Sequence, residues 1–554
     1  MDTSIHPQRG TLILLVLVLG AIWFSNLDYR KLTRPDEGRY AEIGREMAAS
    51  GNWVTPRLNG IKYFEKPPLQ YWATAAAFRV FGAREWTARL WPALTGFLGL
   101  LLIGLAGARL YGRTVGYYAA VVTASSTGYI GMAHFNSLDM GTTFFMTGTL
   151  AGFLLAHRTG ATAREERRWM LVCWGSAALA VLSKGLIGIV LPAGAVGIYV
   201  LIERDYGLLR RCHWVGGLVL FFVLAAPWFI LVQRANPEFS QFFFVHEHFQ
   251  RFLTNSHQRI EPWWYFIPIL ALGMVPWLTL LPEALLKAWR REGSPRRFQP
   301  NRFLFIWAVF IFVFFTASHS KLPSYILPMF PALALLIAYR LAQMEPRQFF
   351  WHALANLTIG LLAVVLSPLV VRLATPATPA ALFEGYAYWI AAGGLAIAIG
   401  AGLCLLYSRG DRPVTALTAM ALGGLIGIQL IGTGHNALSP SYSGYYLARA
   451  IKPYLDPTVP FFSVGTYDQT LPFYIGRTMT LVAHDGELNY GLKQEPQLGI
   501  PTGAEFERIW RQTPRALAIM QPVTYAMFER KGMPMRIIAR GLRRIVVAKP
   551  GQVP

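Results

Sequence analysis

The sequence predicts an all-α polytopic membrane protein of about 13 transmembrane helices, followed by a C-terminal soluble α/β domain. Three observations predict it. Of 554 residues, 54% are hydrophobic and only 14% charged, where a soluble protein carries roughly a quarter charged. Apolar runs of spanning length recur as far as residue 433. Beyond residue 435 the pattern changes to short apolar strands alternating with helical stretches, the signature of a small α/β unit.

The first run, TLILLVLVLGAIWF after Arg9, is signal-like but lacks a clear small-x-small cleavage site. It reads as a retained first helix, at 11–27, with the N-terminus in the cytoplasm. Twelve further candidates lie at 92–108, 115–132, 138–156, 169–183, 185–202, 213–233, 264–286, 303–317, 324–342, 350–372, 385–407 and 414–433. Every second loop is basic: 109–113, 158–168, 204–211, 287–302, 340–347 and 409–412 each carry two or more Lys or Arg. Because positive loops stay inside, the outer side receives 28–91, 133–137, Lys184, 234–263, 318–323, 373–384 and the C-terminal domain. The net charge of +22 is then explained by topology and by anionic headgroups, and requires no nucleic acid.

The chain divides into a transmembrane region, 1–435, and an outer α/β domain, 436–554. In the latter, PFFSVG (460–465), TMTLVAH (478–484), ALAIMQ (516–521) and RRIVVAKP (543–550) read as strands, with helices in QTLPFYIG and TGAEFERIWRQ. The domain has no cysteine, glycine-rich phosphate loop or catalytic triad. Cys173, Cys212 and Cys404 sit within or beside apolar segments without CxxC spacing, which excludes a zinc ribbon and a disulfide framework.

Four outer clusters carry the chemistry: PDEGRY (35–40), YFEKPPLQYW (63–72), VHEHFQRF (245–252) and SKLPSYILP (320–328). Asp139 in NSLDM and Lys184 in SKG join them on the same side. Ionisable groups crowding a lipid interface are costly unless they are paired or bind something. Helical spacing puts Asp36, Arg39, Tyr40, Ile43 and Met47 on one stripe, with Glu42 and Glu46 elsewhere, as for a helix lying along the interface.

Acids after Pro35 suit a helix N-terminus on dipole grounds alone. Shared sidedness with Lys66, Lys184, Arg251 and Lys321 favours a functional role for Asp36, with Glu37 as its support. Lys66, stiffened by Pro67 and Pro68, could grip a phosphate as a point charge, although a snorkelling lysine is the commoner case. His246 and His248 share a face only on a strand, and no HExxH occurs, so zinc catalysis is weakly signalled. Arg251 can contact a phosphate through two nitrogens at once. Tyr325 follows Lys321 at one helical turn, so both could reach one phosphate.

Taken in order, PDExRYAEIxREMxASGxW, YFEKP followed by YW, SKG, EHxQRF and KLPxYILP resemble the ArnT family. These are lipid A aminoarabinosyltransferases, membrane glycosyltransferases of the GT-C fold related to the protein O-mannosyltransferases. The chain departs from the pattern at Gly38, where the best-known enterobacterial members carry Thr, and in the proline-rich KPPLQYW. The resemblance implies transfer of 4-amino-4-deoxy-L-arabinose from undecaprenyl phosphate to a lipid A phosphate on the periplasmic face of the bacterial inner membrane. It implies Asp36, Glu37 and Asp139 as catalytic residues. Lys66, Arg251, Tyr325, Lys184 and Lys321 would bind the donor phosphate, and Arg39, Tyr40, Tyr63, Glu65 and His248 would line the cavity. No cofactor is required, with zinc between Glu65 and His246 as a secondary expectation. The protein is expected to act as a monomer among membrane lipids. A flippase would instead show ionisable residues at the midplane and a repeat, and neither is evident.

Overall fold

A computed structural model describes residues 9–244, 261–290, 298–410, 412–484 and 486–550. Among these, eight of the thirteen expected spans are single helices long and apolar enough to cross a membrane, and nine if one bent pair counts as a span. The other five expected spans are shorter, broken or charge-capped. The N-terminal helix α1 (Arg9–Phe24) has 16 residues. The run at 115–132 breaks at Ser126, whose extended backbone separates α5 (Arg113–Ser125) from α6 (Thr127–Ala133). The run at 264–286 forms two helices, Phe266–Gly273 and Leu278–Ala288, bent by 113°.

The first spans are α4 (Glu85–Tyr111) and α7 (Leu138–Ala156), followed by α8 (Ala163–Lys184) and α9 (Ile187–Glu203). Leu138–Ala156 is 89% buried and Pro323–Leu341 is 83% buried, so these two form the centre of the bundle. Trp214–Ala235 and Phe349–Leu373, at 22% and 17%, face outward. The apolar core around Trp23, Tyr129, Trp277 and Trp307 fills the space between. The last three spans approach closely through small residues, with Gly360 against Gly394 and Gly400 against Gly423, as expected where lipid offers no hydrophobic drive for helix association.

Between α1 and α4 lie α2 (Asp36–Ser50), a two-stranded ribbon β1 (Arg57–Leu58) and β2 (Ile61–Lys62), and α3 (Leu69–Phe81). Contrary to the expectation of an interfacial helix, α2 is buried on several sides. Glu42 is fully buried, with both carboxylate oxygens bonded by Arg45. Gly44 lies so close to Thr74 of α3 that a Cβ would come within 2.7 Å of it. On the other side, a Cβ on Gly38 would stand 2.6 Å from the Gln469 carbonyl oxygen of the C-terminal domain. The helix is clamped between two layers.

The C-terminal domain holds a six-stranded sheet in the order β5-β4-β3-β6-β8-β7. The four expected strands are β3 (Phe461–Val464), β4 (Thr480–Val482), β6 (Leu517–Met520) and β8 (Ile545–Ala548). Two edge strands escaped the sequence reading: β5 (Gly499–Ile500), only two residues long, and β7 (Arg536–Arg540), whose ends are arginines. Strands β5, β4, β3 and β6 are parallel, β8 runs antiparallel to β6, and β7 pairs antiparallel with β8.

Candidate active site

The described loops that carry the ionisable clusters converge at one end of the bundle, against the C-terminal domain. Glu37 anchors them. Its side chain is fully buried, and Arg89 of α4 grips both oxygens, Nε to Oε1 at 2.7 Å and Nη2 to Oε2 at 2.9 Å. The Thr33 amide and hydroxyl each donate to Oε2 at 3.0 Å, and the Asn136 amide donates to Oε1 at 3.2 Å. Arg89 also donates to the carbonyls of Leu27, Arg30 and Lys31. The cations and hydrogen bonds around Glu37 outweigh its burial and hold its pKa down at about 2. With its lone pairs committed, Glu37 is a buried strut and not a catalytic residue open to substrate, which corrects its placement among the catalytic carboxylates.

Asp36, one residue earlier, points elsewhere because successive helical side chains diverge. Its carboxylate pairs with Arg39 at 2.7 Å and its side chain remains 32% exposed. The Arg39 Nε lies 2.6 Å from Glu487 Oε2. Glu487 comes from the C-terminal domain, where Gln469 donates to its other oxygen at 2.7 Å. Burial and the neighbouring Glu65 push Glu487 above the usual carboxylate range against the pull of Arg39. Tyr63 is buried, and its hydroxyl has no hydrogen-bond partner among the described residues. Tyr40 stacks on Tyr71 with centroids 6.1 Å apart. Burial, then the charges of Asp36, Glu65 and Asp139, push its phenol up. Tyr40 thus lies within electrostatic reach of both Asp36 and Asp139.

A second cluster is built by α7 and α8. Ser137 caps α7, and its hydroxyl donates to Asp139 at 3.2 Å. Helix α8 stops at Lys184 because Gly185 adopts φ +90°, a conformation side-chain-bearing residues rarely take. The SKG motif therefore presents a lysine from a helix end. Lys184 pairs with Asp139 and lies 4.7 Å from the Tyr325 ring centroid. Lys184 and Tyr325 were expected to bind the donor phosphate and Asp139 to be catalytic, and the structure makes the three one ion-pair and cation–π group.

Lys66 is half-buried and donates to the Glu65 carbonyl at 2.8 Å. Lys321 departs from expectation. It is 6% exposed, and its ammonium donates to the carbonyls of Glu261 and Pro262 at 2.8 and 3.2 Å. Because it is buried against backbone, it braces a loop instead of presenting charge to a phosphate. Arg251, His246 and His248 lie outside the described residues, and so does any metal shared by Glu65 and His246. Among the described residues no group of three His, Cys, Asp or Glu could hold a metal ion. Sequence reasoning missed Glu487 and Arg89. GEL at 486–488 carries an acid without any motif around it, and Arg89 sits in the first turns of a span, where a basic residue ordinarily reads as a topology signal.

Comparison with known proteins gives this arrangement its family. Residues 447–549 match the model described as aminoarabinose transferase C-terminal domain, and residues 10–243 match dolichyl-phosphate-mannose-protein mannosyltransferase. The crystal structure of ArnT from Cupriavidus metallidurans bound to undecaprenyl phosphate superposes with a TM-score of 0.94 at 37% identity, covering 98% of this chain and 99% of that one. The chain belongs to the ArnT family. An undecaprenyl phosphate-alpha-4-amino-4-deoxy-L-arabinose arabinosyl transferase of Pseudomonas fluorescens is 34% identical over 66% of this chain and 62% of its own length. One from Erwinia tasmaniensis is 31% identical over 64% of each. The matches thus span a little under two thirds of the length of these curated relatives. An Archaeoglobus fulgidus oligosaccharyltransferase, at 13% identity and a TM-score of 0.53, shares the fold alone. The candidate site of this ArnT-family member combines groups from the bundle, α2 and the C-terminal domain.

Proposed function

We propose that the chain transfers 4-amino-4-deoxy-L-arabinose from undecaprenyl phosphate to a phosphate of lipid A. The reaction takes place on the periplasmic face of the bacterial inner membrane, with the N-terminus cytoplasmic and the C-terminal domain periplasmic. The cationic product lowers surface negative charge and so gives resistance to polymyxin and related peptides. The observation that carries this reading is the alignment of the chain over 98% of its length with a structure bound to undecaprenyl phosphate; the ion-pair groups Asp36–Arg39–Glu487 and Asp139–Lys184–Tyr325 support it.

A phosphate monoester leaves readily, so the site must mainly stabilise charge growing on it. Lys66 and Arg251, with the Tyr325 hydroxyl, hold the carrier phosphate. Lys184 matches Asp139 and fixes the Tyr325 ring, which makes it a positioning residue. Because Asp139 is already paired, Glu65 is the carboxylate for the sugar's ammonium. Asp36, still partly exposed, faces the acceptor. A lipid A phosphate is already anionic, so Asp36 acts on it through the paired Arg39 guanidinium; a protein hydroxyl, the acceptor of a mannosyltransferase, would need Asp36 as a true base.

The test is mass spectrometry of lipid A from cells with and without the gene. Aminoarabinose on a lipid A phosphate is expected with the native chain and absent with Asp36→Asn. Unmodified lipid A in expressing cells would remove the acceptor reading, and full modification by D36N would remove Asp36. For the donor, Lys66→Ala is expected to weaken undecaprenyl phosphate binding by about tenfold or more, the worth of one charged hydrogen bond.

A further inference from the structure

A cavity of about 120 Å³ opens at the seam between the bundle and the C-terminal domain. Arg34, Arg540, Arg543 and Arg544 line it against a single carboxylate, Asp468. None of the four arginines forms an ion pair within 4 Å among the described residues, and Asp468 is occupied locally. Its Oδ1 accepts from the Thr470 amide and hydroxyl and from the Leu471 amide. The Arg34 and Arg543 guanidinium carbons lie 5.9 and 5.3 Å from the same Tyr442 ring. Arg543 is fixed by donating to Ser441 at 3.0 Å and Thr378 at 3.3 Å. The buried Nε atoms of Arg34 and Arg544 have no hydrogen-bond partner among the described residues. Burial and the neighbouring Arg543 lower the pKa of both, against the pull of Asp468. Four cations facing one carboxylate, with donors unused, are costly to hold together, and an anion in the cavity would reduce that cost.

The position selects the kind of anion. Ser441 lies at the end of the apolar run Pro413–Tyr442, so the cavity stands level with the end of a span. Tyr446 and Leu542 on its lining are 45% and 39% exposed, an apolar rim suited to acyl chains. We infer that this cavity binds the phosphate of an anionic lipid, at a site separate from the one that holds the Lys66 and Tyr325 side chains. Arg34 and Arg544 donate through their Nε groups to the phosphate oxygens, and Arg543 supplies charge behind them. The inference does not depend on which sugar or acceptor the enzyme uses.

The probe is phosphatidic acid, with phosphatidylcholine as the zwitterionic control, titrated onto the full chain in detergent. The double variant R34Q/R544Q is expected to weaken phosphatidic acid binding by about tenfold or more, the loss of charged hydrogen bonds. It should leave undecaprenyl phosphate binding within about twofold, since that reads the Lys66 site. Equal phosphatidic acid affinity in variant and native protein overturns the proposal, as does an equal loss for phosphatidylcholine. Displacement of the lipid by millimolar inorganic phosphate overturns the choice of a lipid over a soluble anion. The native protein provides a test that does not rely on the variant folding. A photoactivatable phosphatidic acid should label peptides containing Ser441–Leu447 or Ala539–Arg544, and labelling confined to the segments bearing Lys66 and Tyr325 refutes the site.

Discussion

Asp36 and Glu37 are adjacent acids with opposite fates. One turns toward Arg39 and keeps a third of its side chain exposed, and the other is sealed beneath Arg89. Removing one partner of a buried pair leaves an uncompensated charge, a cost of about 3–5 kcal/mol. Arg89→Ala is therefore expected to lower the melting midpoint in detergent sharply and to reduce the yield of folded protein, whereas Asp36→Asn leaves both near native. The pH dependence follows from the sign of the shift. Glu37 is depressed from 4.5 to about 2, so its stabilisation is complete above pH 4.5 and is lost as pH falls toward 2. A Glu37→Gln variant should lose stability at neutral pH and show a flatter profile below pH 4.5. Asp36 was legible in the sequence as a functional candidate; the role of Glu37 was not, because its partner lies 52 residues away on another helix.

At the scale of the element, α2 explains why a helix rich in charge tolerates burial. Glu42 is neutralised by Arg45 in a bidentate pair, with bonds of 2.6 and 2.7 Å, while Glu46 accepts from the Gly60 amide at 2.8 Å. Burial and the nearby Glu42 push Glu46 up to about 8. A raised pKa contributes stability that is complete below pH 4.5 and disappears as pH rises through 8. Glu46→Gln should therefore stabilise the protein at pH 8 by about 1–3 kcal/mol and remove part of its decline between pH 5 and 8, as read by melting midpoints across that range. The Gly38 face tests the clamp. With the Gln469 carbonyl 2.6 Å from any Cβ, Gly38→Val must displace the C-terminal domain, at about 1–3 kcal/mol. Faster proteolysis between the bundle and the sheet is the expected readout. The helical pattern of α2 was legible from its sequence, but its environment was not, because a mixed charged helix has the same periodicity at an interface as between two layers.

At the scale of the whole molecule, the C-terminal domain takes part in the site through Glu487. Glu487→Gln leaves Arg39 with Asp36 as its remaining carboxylate within ion-pair distance. Transfer is expected to fall by about tenfold, a loss of roughly 1.4 kcal/mol. Undecaprenyl phosphate binding should be unchanged, because Glu487 acts through Arg39. A parallel loss of donor binding would mean that the domain supports the whole site and not this one arginine. The C-terminal strands with uniformly apolar runs were legible from their sequences, and the two edge strands were not, because a short or charged edge lacks that signal.

Hydropathy and charge by themselves determined that the chain is a helical membrane protein with a mixed α/β domain at its end, since burial in lipid demands long apolar runs and leaves ionisable residues to the ends. Ordered motifs placed the chain among its relatives. Tertiary structure alone decided which charges are spent and which remain available. Glu37 goes to Arg89, Lys321 to two carbonyls, Lys184 to Asp139, and Arg39 is shared between Asp36 and Glu487. The reason is distance. A charge at a membrane end must find a partner, and the partners here are brought by other helices and another domain, far away in sequence.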